Sequence, residues 1–259
     1  MKIRLLTENL ASDMVWLAEW GFSAWIEYGS TRILFDTGFS DVYLRNAEYA
    51  GLDLNSVDVI ALSHFHRDHT RGLLFHRFED KKKLILHPRV MTAVLDTEDE
   101  TVLSDYAAIQ KRLSDDFATH EATEPFEFCD GGFFLGEIPR TTEFEKGAFF
   151  DDPIIDDTAL AFRTSKGAAV ISGCSHAGIC NICEYTKLIT GQPLHAVIGG
   201  FHLLHNEEPP VEQTIAYFKQ EKPEVLMPMH CIDFDIQAKF QQEFSGQRPG
   251  AGSLIEIDA

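Results

Sequence analysis

The sequence predicts an α/β fold, an αββα sandwich in which two mixed β-sheets pack together with helices on their outer faces. Strand-like segments come in two batches, and each batch is followed by alternating strand and helix patterns. With 259 residues, of which 44% are hydrophobic, the chain has enough apolar material for a sizeable core. We therefore expect a single domain that covers residues 1–259.

The first batch of strands lies in the N-terminal part of the chain. Short apolar runs bounded by turn residues predict strands over residues 2–7, 23–27, 31–35, 58–63 and 84–87. Tyr28-Gly29-Ser30 has the composition of a turn and makes the second and third strands a hairpin. Residues 98–113 have the apolar spacing of an amphipathic helix.

The second batch begins after Gly131-Gly132. Strands are predicted over residues 133–138, 159–164, 168–172, 195–198, 224–227 and 253–257, and helices over residues 179–189 and 209–220. Residues 159–164 and 168–172 form a hairpin whose outgoing strand leads into Gly173-Cys174-Ser175-His176.

Charge and cysteine content limit the classes of partner. The formal net charge is −19, which repels nucleic-acid phosphates and anionic lipid, so we expect a small-molecule substrate, no nucleic acid and no membrane association. Neither a signal peptide nor a membrane-spanning run is visible, and an odd count of five cysteines does not suggest a disulfide framework. A cytoplasmic protein with reduced thiols is the expectation. The oligomeric state stays open.

A polar cluster directly follows the buried strand 58–63. His64-Phe65-His66-Arg67-Asp68-His69 contains four potential metal ligands, and an extended backbone points His64 and His66 the same way, so that they can share one ion. Asp68 and His69 can turn toward a second ion beside the first. A solvated loop or buried structural histidines are the alternative, which the spacing disfavours. Five isolated histidines are interpreted as structural: His76, His87, His120, His195 and His205.

The pattern His-x-His-x-Asp-His after a strand resembles the signature of the metallo-β-lactamase superfamily. Further matches lie along nearly the whole chain, at Phe35-Asp36-Thr37-Gly38, Gly136-Glu137-Ile138-Pro139-Arg140, Gly173-Cys174-Ser175-His176-Ala177-Gly178, Gly199-Gly200-Phe201-His202-Leu203 and Pro228-Met229-His230-Cys231. Together they resemble the branch that includes the 7,8-dihydropterin-6-yl-methyl-4-(β-D-ribofuranosyl)aminobenzene 5′-phosphate synthases.

The resemblance implies the metallo-β-lactamase fold and a dinuclear metal site. It places His64 and His66 on the first ion, Asp68, His69 and His230 on the second, and makes His176 the sixth protein ligand. Zinc is the favoured metal, and manganese and iron accept the same ligand types.

The chain departs from the superfamily pattern at several positions. Gly-Cys-Ser-His stands where Gly-Asp is usual, so His176 takes over one of two ligand roles, and Cys174 is a second-choice ligand because a thiolate is a good zinc donor. Three further departures are Trp20, Arg71 and Ile232-Asp233. They surround the expected pocket and leave the identity of the substrate open.

Three other residues have two interpretations each. His202 either assists the reaction, by donating to the substrate oxyanion or protonating the leaving group, or is a buried histidine of a structural turn. Arg140 either binds a phosphate or carboxylate of the substrate or forms a surface ion pair. Asp36 either accepts a hydrogen bond from a ligand imidazole or belongs to a turn.

These observations favour a dinuclear metal-dependent hydrolase or lyase. In this hypothesis a metal-bound hydroxide, oriented by Asp68, attacks a small phosphorylated or ester substrate, with pterin-related compounds as candidates. The alternatives are a di-iron oxidoreductase and a non-catalytic metal-binding or sensing module of the same fold.

Overall fold

A computed structural model of the chain describes residues 1–146, 152–205 and 209–258. The chain divides into two compact units. Unit 1 comprises Met1–Thr123 with Gly250–Glu256, and unit 2 comprises Glu124–Pro249 with Ile257–Ala259. Each unit contains one β-sheet, and the two units are described in turn.

The sheet of unit 1 has seven strands among the described residues. They are β1 (Lys2–Thr7), β2 (Ser23–Tyr28), β3 (Thr31–Phe35), β4 (Val59–Ala61), β5 (Lys82–Leu86), β6 (Phe117–Glu121) and β13 (Leu254–Glu256), in the spatial order β13-β1-β2-β3-β4-β5-β6. The first three pairings in this order are antiparallel and the last three are parallel. The sheet is therefore mixed.

Three α-helices accompany this sheet: α1 (Val42–Tyr49), α2 (Arg67–Thr70) and α3 (Glu100–Asp116). Short 3₁₀ turns lie at Leu54–Ser56, Arg71–Phe75 and Pro88–Met91. Helix α3 begins after Asp99, whose carboxylate accepts hydrogen bonds from the backbone N–H groups of Thr101 and Val102. Its buried face presents Tyr106, Ile109 and Leu113, as the apolar spacing predicts.

The sheet of unit 2 has six strands in the part of the chain that the structure describes. They are β7 (Phe126–Cys129), β8 (Gly132–Phe134), β9 (Ala159–Thr164), β10 (Gly167–Ser172), β11 (Leu194–Gly200) and β12 (Val225–Met229), in the spatial order β12-β11-β10-β9-β8-β7. Strands β10, β11 and β12 run parallel, whereas β7 to β10 form an antiparallel meander.

Helices α4 (Ile179–Thr190), α5 (Val211–Glu221) and α6 (Phe234–Phe244) belong to unit 2. Helix α4 packs on β9, β10 and β11, and α6 packs on β12. The aromatic side chains of Phe201, Phe218 and Phe240 lie together in the core of this unit. Among the described residues, no helix combines the length and the apolar character that crossing a membrane requires.

Most predicted elements agree with the structure to within a few residues, and the differences have physical reasons. Strand β4 covers only Val59–Ala61, and β8 only Gly132–Phe134; Leu62 and Leu135 each still donate one backbone hydrogen bond to the neighbouring strand, and pairing ends before the Ser63 and Gly136 that follow. The sequence analysis missed β6, in which four of five residues are exposed, so that no apolar run marks it. It also missed α1, an eight-residue helix whose Asp41 N-cap makes no side-chain capping bond.

The buried strands of unit 1 give the first testable prediction. Leu84 in β5 is fully buried, so Leu84→Ala should lower the free energy of unfolding by about 2 to 5 kcal/mol. Leu188 in α4 is 74% exposed, and the matched Leu188→Ala should change the free energy of unfolding by about 0.5 kcal/mol or less. Urea unfolding followed by circular dichroism measures both. Equal losses in the two variants would contradict the burial described above.

Candidate metal centre

The three histidines that follow β4 lie side by side in unit 1. The ring centroids of His64 and His66 are 4.6 Å apart, and those of His64 and His69 are 4.3 Å apart. All three side chains are buried. The intervening Phe65 is also buried, and its ring packs against Tyr106 of α3 and against the imidazole of His66, with centroid distances of 5.8 and 4.7 Å.

A buried carboxylate holds this loop in place. Asp36 follows β3, and because β3 and β4 are parallel neighbours, it reaches the residues that follow β4. Its Oδ1 accepts the backbone N–H of Ser63 at 2.7 Å, and its Oδ2 accepts the Ser63 hydroxyl at 2.7 Å and lies 2.7 Å from Nδ1 of His69. The sequence analysis did not single out Ser63, since a serine carries no motif of its own.

Counting donors and acceptors assigns the tautomers of two imidazoles. Ser63 has one hydroxyl proton and donates it to Asp36, so its Oγ accepts from Nδ1 of His64 at 2.9 Å. Carboxylate oxygens only accept, so Nδ1 of His69 also carries its proton. His64 and His69 therefore both present an Nε2 lone pair, the form in which a histidine binds a metal through Nε2.

Asp68 and His69 are adjacent residues of the short helix α2. Their atoms Oδ2 and Nε2 are 3.6 Å apart, which is longer than a hydrogen bond. Two ligand atoms bound about 2.1 Å from one tetrahedral zinc ion lie about 3.4 Å apart. The pair thus has a spacing that suits a shared cation.

Helix α2, which carries Asp68 and His69, is fixed by ion pairs to α3. Asp105 accepts from Nη1 of Arg67 at 2.7 Å and from Nε of Arg71 at 2.8 Å. The carboxylate of Asp105 is only 12% exposed, so solvent screens these pairs less than surface pairs. One carboxylate thus pairs with two guanidinium groups and ties the segment that carries Asp68 and His69 to α3.

In unit 2, the predicted site residues lie just after parallel strands. His176 follows β10, His202 follows β11 and His230 follows β12. The rings of His176 and His202 are in contact, with centroids 3.9 Å apart. His176 and His230 are buried, and His202 is half-buried.

Two cysteine thiols accompany these histidines. Sγ of Cys231 donates to the carbonyl oxygen of Cys174 at 3.2 Å and accepts the backbone N–H of His202 at 3.3 Å. Burial alone would raise the pKa of the Cys231 thiol, but hydrogen bonds with the side chains of Cys174 and His202 outweigh it and hold that pKa well below its ordinary value. Cys180 and Cys183 in α4 behave oppositely, because burial raises the pKa of both thiols.

Two buried acids that the sequence analysis missed support the loop after β10. Asp157 accepts the backbone N–H of Ala177 at 3.0 Å, and burial raises its pKa to about 7. Glu145 accepts the N–H groups of Cys180 and Asn181 at the start of α4, and burial raises its pKa as well. Neither acid stands in a recognisable motif. Their role depends on backbone groups that only the fold brings within reach.

Arg140 is half-buried, and its guanidinium donates to the carbonyl oxygen of Pro153. This bond ties the guanidinium to the backbone of the chain and differs from the surface ion pair that the sequence suggested.

In unit 1, the structure brings together His64, His66, Asp68, His69 and Asp36. In unit 2, it brings together Cys174, His176 and His202.

The chain is similar to a known family and to known proteins. Residues 21–190 match the model of the metallo-β-lactamase superfamily. A 7,8-dihydropterin-6-methyl-4-(β-D-ribofuranosyl)-aminobenzene-5′-phosphate synthase of Methanocaldococcus jannaschii is 31% identical over 286 residues, which cover 99% of this chain and 97% of that protein. An uncharacterised protein of the same organism, MJ0448, is 30% identical over 98% of this chain and 100% of its own length.

Among solved structures, the crystal structure of Tm1679, a metal-dependent hydrolase of the β-lactamase superfamily, has a TM-score of 0.79 at 28% identity and covers 100% of both chains. This similarity and the two mixed sheets with helices confirm the predicted fold class.

The tautomer assignment gives a second prediction. In metal-free protein near neutral pH, ¹⁵N NMR of the imidazoles should show His64 and His69 with the proton on Nδ1. Asp36→Asn keeps the shape of the side chain and tolerates the left-handed backbone at φ 57, but its amide group can donate to Nδ1 of His69. This variant should move the His69 proton to Nε2. An unchanged His69 spectrum in the variant would refute the assignment.

The raised pKa of Asp157 gives a third prediction. Its folded-state pKa of about 7 lies above the ordinary value of 3.8, so the folded state holds this proton more tightly than the unfolded state. The wild type should therefore lose stability relative to Asp157→Asn as pH rises from about 4 to 7, by about 1.4 kcal/mol for each unit of pKa difference at most. Urea unfolding of metal-free protein at several pH values measures this change. Parallel pH profiles for the two proteins would show that the carboxyl titrates normally.

Proposed function

Because the chain belongs to the metallo-β-lactamase superfamily, we propose that it is a dinuclear metal-dependent hydrolase or lyase. Its substrate in this proposal is a small phosphorylated or ester compound, with pterin-related molecules as a candidate class. The observation that carries the proposal is the buried cluster of three imidazoles and Asp68 on one loop, with two of the Nδ1 atoms engaged by Ser63 and Asp36.

The donors of this cluster fit divalent cations. Neutral imidazole nitrogens and a carboxylate are ligands that zinc, manganese and iron all accept. Hydrogen bonds to the far side of a ligand imidazole fix its orientation and raise its basicity, which is what Ser63 and Asp36 provide for His64 and His69. In the proposal, His64, His66, Asp68 and His69 bind the ions, and zinc is the favoured metal. His176 and His230 are retained as the remaining ligands that the family resemblance implies.

Bound divalent ions supply Lewis acidity and lower the pKa of water to near neutrality. Side chains of the protein would accept and donate the protons and stabilise the developing charge. Asp68 is half-buried beside His69 and can accept a proton or a hydrogen bond from water while its other oxygen binds a cation. His202 is half-buried and can give a proton to a leaving group, or stabilise a developing oxyanion, through its ring nitrogens.

An anionic substrate in this proposal depends on the bound cations and on Arg140. Arg67 and Arg71 share the carboxylate of Asp105, and Asp36 and Asp68 add two more carboxyl groups beside the histidines, so the positive charge at the site would come from the divalent ions. Salt screens the electric field of exposed acidic groups beyond about 8 to 10 Å, so the charges close to the site determine its electrostatic potential. Arg140 is the proposed contact for a substrate phosphate or carboxylate, for which it would exchange its bond with Pro153.

Two similar proteins bear on the class of reaction, and their names indicate different classes. The similar protein of M. jannaschii is named a synthase, and the similar solved structure is named a hydrolase. A lyase and a hydrolase both need a polarised carbonyl or phosphoryl oxygen and a positioned proton donor, which the proposed site offers. A cytoplasmic location is part of this proposal, since the five cysteines form no disulfide.

The proposal predicts a sharp loss of turnover when the cluster is altered. His66→Ala and Asp68→Asn should each lower turnover of phosphodiester and ester substrates by about 100-fold or more under controlled metal loading. Arg32→Ala is the control, because this exposed side chain forms an ion pair with Asp58 and should leave turnover unchanged. Metal content should fall in His66→Ala as measured by elemental analysis. Wild-type turnover in both cluster variants would refute the proposed function.

A further inference from the structure

Three side chains of unit 2 that are not among the six proposed ligands converge on one point. The ligand atoms of Cys174, His202 and Cys231 all lie within 4.8 Å of one another. Sγ of Cys231 accepts the backbone N–H of His202 at 3.3 Å and lies 3.2 Å from the carbonyl oxygen of Cys174. Two cysteines and one histidine make up a donor set that binds zinc and related cations in proteins.

The parallel register of the sheet creates this convergence. Strand β10 ends at Ser172, β11 at Gly200 and β12 at Met229, and the three strands are adjacent and parallel. Cys174, His202 and Cys231 each stand two residues beyond the end of their strand. Equivalent positions after parallel neighbours meet at the same sheet edge, so the three donors converge although 57 residues separate the two cysteines.

A glycine makes room for the two cysteines. A Cβ atom at Gly200 would lie 2.7 Å from Sγ of Cys231 and 3.0 Å from Cα of Cys174. The first distance is shorter than side-chain contacts allow and the second is tighter than most, so a side chain at position 200 would displace the Cys231 thiol or the backbone at Cys174. The hydroxyls of Ser172 and Ser175 donate to the carbonyl oxygen of Gly200 at 3.0 and 2.6 Å and fix this strand end.

We propose that Cys174, His202 and Cys231 form a thiolate-rich metal site that takes a borderline or soft divalent cation, with Zn²⁺ as the physiological candidate. Two thiolates about 2.3 Å from a tetrahedral ion lie about 3.8 Å apart, within the observed span of the cluster. Three protein donors leave a fourth position open, and His202 is half-buried whereas the two thiols are buried. The proposal does not rest on the proposed function; it assigns one ring nitrogen of His202 to the cation, which leaves the other nitrogen for the proton transfer proposed above.

The experiment uses Co²⁺ as the probe. Metal-free full-length protein is titrated with Co²⁺, and thiolate-to-metal charge-transfer absorption in the near ultraviolet is recorded, since imidazole and carboxylate ligands do not produce it. We expect this band in the wild type. Cys174→Ser and Cys231→Ser should each reduce it at least tenfold, and His202→Gln should weaken the apparent Co²⁺ affinity about 10- to 100-fold.

Two controls separate this site from other thiols and from the proposed function. Cys180→Ser alters a buried thiol of α4 and should retain the band. His66→Ala alters the histidine cluster and should also retain the band, even where it abolishes turnover. Failure of the proposed function therefore leaves this result untouched.

Two results would overturn the proposal. One is the absence of the band in the wild type. The other is a band that needs Cys174 but persists in Cys231→Ser, because Cys174 would then ligate without its partner. If the serine variants do not fold, X-ray absorption of zinc-loaded wild type decides: two sulfur neighbours at about 2.3 Å support the site, and a shell of nitrogen and oxygen alone refutes it.

Discussion

The candidate metal centre of unit 1 depends on the hydrogen bonds of one buried carboxylate. Asp36 accepts from the backbone and the hydroxyl of Ser63 and from the imidazole of His69, all at 2.7 Å. A buried carboxylate without such donors would be costly, so the loop after β4 is fixed to the end of β3 by the same bonds that satisfy Asp36. These bonds also assign the proton positions of His64 and His69. One network therefore determines the loop conformation and the tautomer in which His64 and His69 each present an unprotonated Nε2 atom.

Sequence reasoning succeeded where the signal was local. A short apolar run followed by histidines and an aspartate predicted a strand that ends in a metal-binding loop, and the strand, the loop and its crowded imidazoles are present. Isolated histidines interpreted as structural include His87, whose ring caps a 3₁₀ turn, and His195, whose ring bonds to Thr164. A buried histidine whose ring already has a hydrogen-bond partner within the protein gives no reason to invoke a ligand.

The rest could not be predicted because it depends on register between distant segments. Ser63, Asp105 and Asp157 act through bonds to groups 27, 38 and 20 residues away, and no local pattern marks them. The cysteine pair is a further example. Cys174 and Cys231 are unrelated in sequence spacing, and only the parallel order of β10, β11 and β12 gives them equivalent positions beyond their strands. Which strands are neighbours is a property of the whole sheet.

Backbone strain marks the same strand ends independently of any motif. Among the described residues, four non-glycine residues with positive φ stand directly after strands or in the loops that follow them, namely Asp36, Ser175, His202 and His230. Such conformations cost on the order of 1 to 3 kcal/mol each and persist only where surrounding bonds enforce them. Those bonds are visible, because the side chains of Asp36 and Ser175 and the backbone N–H of His202 are all hydrogen-bonded. Asparagine or glycine would adopt these conformations at lower cost, so the serine and the histidines hold strained positions that their surrounding bonds must enforce.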